Sequence, residues 1–149
     1  MARPKSYRDL IVWQKAMELA RQIYLLSQGL PKNEAYGLLT QMRRAAVSVP
    51  SNIAEGHGRL TDSQFRHFLG NARGSLYEVQ TQVELAGNLG YFDENSIREL
   101  MDRGLEVARL MNGLITVLGK QDERLTGART SSANTANSAD KDSTHEDTH

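Results

Sequence analysis

The sequence predicts an all-α protein: an antiparallel, up-down-up-down four-helix bundle with a Pro-kinked second helix and a disordered C-terminal tail. Apolar residues recur at helical spacing in four separate segments, and the connections between these segments are short. No stretch of useful length alternates apolar and polar residues with the two-residue period of a strand. Four long helices joined by short connections favour a bundle of this kind.

The first helix is predicted from about Tyr7 to Ser27, with Ser6 as its N-cap. Gly29 and Pro31 follow its end. The apolar side chains expected to face the core of the bundle are Leu10, Trp13, Met17, Ala20 and Tyr24, with Leu19, Ile23 and Leu26 beside them.

The second helix is predicted from about Asn33 to Glu55 and contains Pro50. The apolar phase is the same on both sides of this proline, which favours one kinked helix over two separate ones. Ser51 or Asn52 is expected to satisfy backbone carbonyls that Pro50 leaves without a donor.

The third helix is predicted to begin after Thr61, because Gln64 completes a capping-box pattern, and to end near Leu89. Asp93 is the expected cap of the fourth helix. Beyond Leu125 no aliphatic side chain is larger than alanine, so we expect a bundle over residues 1–125 and a disordered polar tail over residues 126–149.

Composition excludes several classes of protein. The 149 residues include no cysteine, so a disulfide framework, a thiolate metal site and a cysteine nucleophile are all excluded. No apolar run is long enough for a membrane span or a signal peptide, and we expect a cytoplasmic protein. Neither a phosphate-binding loop nor a dinucleotide fingerprint is present, and we expect no cofactor.

Histidine and carboxylate residues offer one candidate for catalysis and one for metal binding. His57 lies close to Glu55, which could serve a metal-independent nuclease, but a polar loop histidine is favoured because no further catalytic group is recognisable nearby. His145 and His149 have a metal-like spacing, but a disordered tail fixes no geometry. We therefore expect no catalytic residue, no metal site and no enzyme.

The charge is unevenly distributed along a chain whose net charge is zero. Residues 1–73 hold 11 basic against 5 acidic residues, whereas residues 74–125 hold 5 against 9. Helical rotation places several basic residues and one tyrosine away from the core, and the candidates for nucleic-acid contact are Arg43, Arg44, Arg59, Arg66, Arg73 and Tyr77. A solvated face, or a contact with another subunit, is the alternative.

Gly70 and Gly74 lie on one side of the third helix, away from its apolar stripe. Glycine in a helix interior is less stable than alanine by about 1 kcal/mol, which suggests that another backbone approaches closely at this face. The two glycines are candidates for a contact between subunits, and a close contact within one bundle is the alternative.

Several segments resemble one bacterial family, the four-helix-bundle proteins encoded in intervening sequences of 23S ribosomal RNA genes. The matching segments are LIVWQ at Leu10–Gln14, YGL at Tyr36–Leu38, QMRRAAVSVPSNIAEGHG at Gln41–Gly58 and GSLYEVQTQ at Gly74–Gln82. The resemblance covers about residues 7 to 120 and leaves the tail outside.

The resemblance implies an antiparallel four-helix bundle, often assembled as a ring-like homopentamer. It also implies kinship with the accessory variability protein of diversity-generating retroelements, whose proposed partners are nucleic acid and a reverse transcriptase. On this basis Arg43, Arg44 and Arg59 carry over as the basic surface, whereas Arg66 and Arg73 rest on the helical rotation alone.

Two functions are therefore open. The first is an oligomeric accessory protein that binds RNA, or DNA, through a basic surface. The second is a protein-interaction scaffold that forms a homo-oligomeric ring without nucleic acid. Binding to nucleic acid weakens steeply with salt, whereas an apolar subunit contact does not, so salt dependence separates the two.

Overall fold

The computed structural model describes the backbone of residues 3–139 and the side chains of residues 3–128. It contains four α-helices, which are α1 (Ile11–Ser27), α2 (Leu38–His57), α3 (Asp62–Asn88) and α4 (Glu94–Ala139). Short 3-10 helices at Tyr7–Asp9 and Lys32–Glu34 precede α1 and α2. The part of the chain that is described contains no strand, and the all-helical prediction is confirmed.

Each helix packs against two others, so that α1 contacts α2 and α4, and α3 contacts the same two helices from the opposite side. The Ser48 and Ser75 hydroxyls, on α2 and α3, lie 2.8 Å apart. Nearer the α2–α3 turn, Gly56 lies against Phe68. Residue numbers therefore run in opposite directions along α2 and α3, as in antiparallel neighbours.

The buried face of α1 differs from the predicted one. Met17 and Tyr24 were expected in the core but are 46% and 41% exposed, whereas Val12 and Ala16 are buried. The inner face of α1 is centred on Val12, Ala16, Leu19 and Ile23, whereas Met17 and Tyr24 lie on its flank and line the groove between α1 and α2. Ser6 caps the short 3-10 helix, because its hydroxyl accepts a hydrogen bond from the Arg8 backbone N–H, and α1 itself begins only at Ile11.

α2 begins at Leu38, five residues later than predicted, because the preceding residues form a 3-10 helix. The Glu34 carboxylate accepts a hydrogen bond from the Leu38 backbone N–H at 3.0 Å and so satisfies a donor of the first turn. The helix continues through Pro50 as one element, and the kink stays a prediction.

Pro50 leaves the Ala46 carbonyl without its helical donor, and neither Ser51, which is exposed, nor Asn52 is bonded to it, so the expected compensation stays a prediction. The Asn52 amide donates to the Ser48 carbonyl at 2.8 Å and also contacts the Ser48 hydroxyl. Because that hydroxyl in turn meets Ser75, the polar residues around Pro50 connect α2 to α3.

Both predicted caps at the start of α3 and α4 are present. The Thr61 hydroxyl accepts a hydrogen bond from the Gln64 backbone N–H at 3.2 Å. The Asp93 carboxylate accepts one from the Ser96 backbone N–H at 2.7 Å, and this bond lowers the pKa of Asp93 by stabilising the carboxylate. The stabilisation by Asp93 is therefore present at neutral pH and is lost as the pH falls through that lowered pKa.

The end of α4 extends beyond the predicted boundary of the bundle. Core burial on this helix ends at Leu118, and residues 123–128 are exposed. The backbone nevertheless stays helical as far as Ala139. Residues 128–139 contain neither proline nor glycine, so nothing in the sequence ends the helix locally. Residues 140–149 of the predicted tail lie outside the described part.

Removing residues 126–149 is expected to leave the free energy of unfolding unchanged within about 0.5 kcal/mol, because core burial ends before this segment. Chemical denaturation of the full-length and shortened chains measures the difference. A loss above about 1 kcal/mol would show that the segment packs on the bundle.

Candidate nucleic-acid interface

Charge in the folded protein is separated along the bundle axis. We divide the described chain into two halves at the Ser48–Ser75 contact on α2 and α3 and next to the Lys15–Glu106 ion pair, which spans the boundary, on α1 and α4. One half, residues 3–16, 49–74 and 110–128, holds nine Lys and Arg against five Asp and Glu. The other half, residues 17–48 and 75–109, holds seven Lys and Arg against nine Asp and Glu. We call the first half, which contains the α2–α3 turn, the basic end, and the second the acidic end.

Arg59 lies in the α2–α3 turn at the basic end and is exposed. Its guanidinium carbon lies 4.5 Å from the centroid of the Phe68 ring, within the range of a cation–π contact. The contact holds the planar guanidinium against the first turns of α3. The predicted exposure of Arg59 thus agrees with the structure, and its aromatic partner lies nine residues further along the chain.

Arg66 and Arg73 both point toward α4. Arg66 Nε donates to the Ile115 carbonyl at 3.2 Å, and Arg73 Nη1 donates to the Asn112 side chain at 3.1 Å. Arg66 nevertheless remains exposed, whereas Arg73 is half-buried. Tyr77 is 48% exposed. The side chains of the predicted α3 ladder are therefore partly engaged in the packing of α3 on α4.

Arg43 is tied to the end of α1. Its Nε donates to the Ser27 hydroxyl at 2.9 Å and its Nη2 to the Tyr24 carbonyl at 3.2 Å. The guanidinium also lies 4.7 Å from the centroid of the Tyr24 ring. Arg44, the next residue, is exposed and has no hydrogen-bond or ion-pair partner within residues 3–128. Both arginines belong to the acidic end.

The five predicted arginines consequently do not form one face. Arg43 contacts α1 along the α1–α2 boundary, whereas Arg66 and Arg73 contact α4 along the α3–α4 boundary. Helical rotation gives the angle of a side chain relative to its own core stripe, but it does not show which neighbouring helix lies on that flank.

Replacing Arg43 with glutamine is expected to lower the free energy of unfolding by about 1–2 kcal/mol, because two hydrogen bonds and a cation–π contact to the end of α1 are lost. Arg44→Gln is the matched control, with an expected change within about 0.5 kcal/mol. Urea denaturation of both variants measures the difference. Equal effects would contradict a specific role for Arg43 in stability.

The N-terminal segment contributes to the basic end in a way that the sequence did not predict. Arg3 Nη2 pairs with the Asp62 carboxylate at 2.8 Å, and its guanidinium lies 4.9 Å from the centroid of the Phe65 ring. His57 Nε2 lies 2.6 Å from the Pro4 carbonyl oxygen. His57 was predicted in the loop but is the last residue of α2, and its ring contacts the N-terminal segment. The basic residues before α1 were the only sequence signal for this contact.

The two glycines proposed as an oligomer contact face open space. A Cβ atom added at Gly70 or Gly74 would meet nothing within 4 Å. The alternative of a close contact within the bundle is therefore wrong for the described residues. The glycines remain candidates for a contact with a second molecule.

An apolar groove lies on a different side of the bundle, between α1 and α2. It has a volume of about 410 Å³ and includes the exposed side chains of Met17, Tyr24 and Val47. Of these three residues, Met17 and Tyr24 were predicted in the core, and that prediction is wrong.

Neither a cluster of metal-ligating side chains nor a membrane-spanning helix is present among the described residues. The described residues contain no group of three or more His, Cys, Asp and Glu side chains placed to hold a metal ion. The predicted absence of a metal site in HEDTH falls on residues 145–149, outside the described part. Within the described helices, none is both long and apolar enough to cross a membrane.

Comparison with known proteins identifies relatives by sequence and by fold. The model of a family described as 23S rRNA-intervening sequence protein matches residues 8–113. A solved structure from Bacteroides thetaiotaomicron, described as a protein of unknown function from the S23 ribosomal protein family, is similar with a TM-score of 0.66. It is 22% identical, and the alignment covers 70% of this chain and 98% of that one, a likeness that shows the fold alone. No curated protein matches the chain.

Proposed function

Because the chain belongs to the 23S rRNA-intervening sequence protein family, we propose that it is a non-enzymatic, homo-oligomeric accessory protein that binds RNA through its basic end. The observation that carries the proposal is the separation of charge along the bundle, with an excess of four positive charges at the end that contains the α2–α3 turn. RNA is therefore proposed to bind at this end of the bundle and not at the single arginine face predicted from the sequence.

The physical mechanism is neutralisation of phosphate charge. Lysine and arginine side chains that contact the RNA backbone release condensed counterions, and this release makes the affinity depend on salt. Arg59 and Arg66 are the exposed arginines of the original candidate set at this end. The excess charge per subunit is modest, so an individual site binds weakly.

Self-association is the second part of the proposal, because several weak sites on one assembly raise the effective affinity without new contacts. The open face at Gly70 and Gly74 supports a close approach between subunits. The family resemblance suggests a pentamer, and by the same analogy a reverse transcriptase is a further candidate partner.

The proposal is tested by size-exclusion chromatography with light scattering, with and without structured 23S ribosomal RNA fragments. We expect a multimer that comigrates with RNA at low salt and separates from it at high salt. A multimer that ignores RNA at every salt concentration would refute the RNA-binding part. A monomer at working concentrations would refute the self-association part. The Gly74→Arg variant tests whether the face at Gly70 and Gly74 forms the contact between subunits.

A protein-interaction scaffold without nucleic acid is the second candidate function. The groove between α1 and α2 favours it, because exposed apolar side chains of this kind are typical of protein contacts. The light-scattering experiment separates the two candidates, since a scaffold forms its assembly in both salts and does not retain RNA.

A further inference from the structure

A shallow surface cavity of about 490 Å³ lies at the basic end, where the α2–α3 turn meets the first turns of α3. Its lining consists of Arg59, Ser63, Gln64, His67 and Phe68. All of these side chains are exposed except that of Phe68, which is half-buried. The cavity therefore combines one aromatic ring and one cation with three polar side chains that can donate hydrogen bonds.

Phe68 is held in place from two sides. A Cβ atom added at Gly56 would lie 2.7 Å from the Phe68 Cβ, so the Phe68 side chain begins close to the backbone of α2. The His67 ring meets the Phe68 ring edge-on, with 5.9 Å between the ring centroids. The ring thus lines the cavity between α2 and the His67 ring.

Arg59 lies on the Phe68 ring with its guanidinium carbon 4.5 Å from the ring centroid. One side of the guanidinium is covered by Phe68, and Arg59 as a residue remains exposed. An arginine plane fixed in this way is a platform on which an unstacked base can lie, since RNA-binding proteins stack splayed-out bases on aromatic rings and on guanidinium planes.

The polar side chains that line the cavity can donate hydrogen bonds to the phosphate and ribose of a nucleotide. Ser63, Gln64 and His67 lie on the first two turns of α3 beside the platform, and each offers a donor to phosphate or ribose oxygens. Asp62, the acidic residue at this turn, is already paired with Arg3 at 2.8 Å, so its charge is offset.

We propose that this cavity binds one unpaired nucleotide of an RNA strand, with its base stacked on the Arg59 guanidinium and its phosphate held by the Ser63, Gln64 and His67 side chains. The inference rests on the proposed RNA-binding function and specifies the form of RNA that is recognised. A base inside a duplex is stacked on both sides and cannot reach the platform. The protein therefore prefers single-stranded or bulged RNA to a continuous duplex.

The test uses a single-stranded RNA oligonucleotide carrying 2-aminopurine, whose fluorescence falls when the base stacks, and a duplex of the same length. Wild-type protein is expected to quench the fluorescence of the single strand. Arg59→Lys keeps the charge but removes the plane, so it abolishes the quench and weakens single-strand binding roughly tenfold, a much larger loss than that for the duplex. Arg109→Lys, at an exposed arginine of the acidic end, is the control, and it is expected to retain the quench and the binding of the single strand.

Phe68→Leu provides a second variant. It keeps an apolar side chain against Gly56 but removes the ring that positions Arg59, so a reduced quench is expected with the circular dichroism spectrum unchanged. Binding of adenosine monophosphate alone shows whether the cavity takes a free mononucleotide or a nucleotide within an RNA strand. If it binds as tightly as the oligonucleotide, the cavity is a mononucleotide site and the assignment to an RNA strand is overturned.

The outcomes also separate this inference from the proposed function. If duplex and single strand bind equally and Arg59→Lys quenches like wild type, the nucleotide cavity is refuted and RNA binding stands. If neither form of RNA binds at low salt, both are refuted.

Discussion

Gly56→Ala is expected to lower the free energy of unfolding by about 2–3 kcal/mol. The added Cβ would lie 2.7 Å from the Phe68 Cβ and 3.3 Å from the Phe65 carbonyl oxygen. Neither atom is the far end of a flexible side chain. The methyl group therefore forces α2 and α3 apart along the contact that also fixes the α2–α3 turn. Urea denaturation followed by circular dichroism measures the loss.

The matched control is Gly113→Ala on α4. Gly113 is also a helical glycine, but a Cβ there would meet nothing within 4 Å. Alanine at this position is expected to raise the free energy of unfolding by about 0.5–1 kcal/mol, because it restricts the unfolded chain and favours the helix. If both variants shifted stability in the same direction, the close approach at Gly56 would not be the cause.

Reversing three charges at the basic end is expected to reduce RNA affinity at least about a hundredfold at low salt. The variant carries Arg59→Glu, Arg66→Glu and Lys120→Glu, and it changes the local excess of positive charge into an excess of negative charge. Each lost phosphate contact also removes about one unit from the slope of log affinity against log salt. Filter binding across a salt series measures both quantities.

A control with the same change in net charge carries Arg44→Glu, Arg98→Glu and Arg109→Glu, all at exposed positions of the acidic end. Its affinity is expected to fall far less, because its charges lie further from the RNA and are screened. Equal losses in the two variants would indicate that only net charge matters. A larger loss of RNA affinity in the control would indicate that RNA binds at the predicted surface around Arg44.

The features that the sequence predicted correctly are those that depend on local chemistry. Thr61 and Asp93 accept hydrogen bonds from backbone N–H groups three residues later, an arrangement that residue type and spacing alone indicate. The helical period likewise identified four helices. Met17 and Tyr24 were misplaced because an apolar stripe wider than the buried face looks the same in sequence as one that is wholly buried.

The candidate site was predictable only in part, because it depends on contacts between distant residues. The exposure of Arg44 and Arg59 follows from helical rotation and from a glycine-flanked turn. That Arg43 would contact Tyr24 and Ser27 depends on the packing of α1 on α2, which no spacing encodes. The basic end likewise exists only in the folded protein, where the N-terminal segment, the α2–α3 turn and the later part of α4 lie together.

The most direct test of the central claim is ultraviolet cross-linking of the wild-type protein to an RNA that it retains, followed by mass spectrometry of the cross-linked peptides. Binding at the basic end predicts cross-links within residues 57–74 and 110–124, and a strong reduction of both when Arg59, Arg66 and Lys120 are replaced by glutamate. Cross-links concentrated within residues 17–48 or 75–109, at the acidic end, would contradict the account.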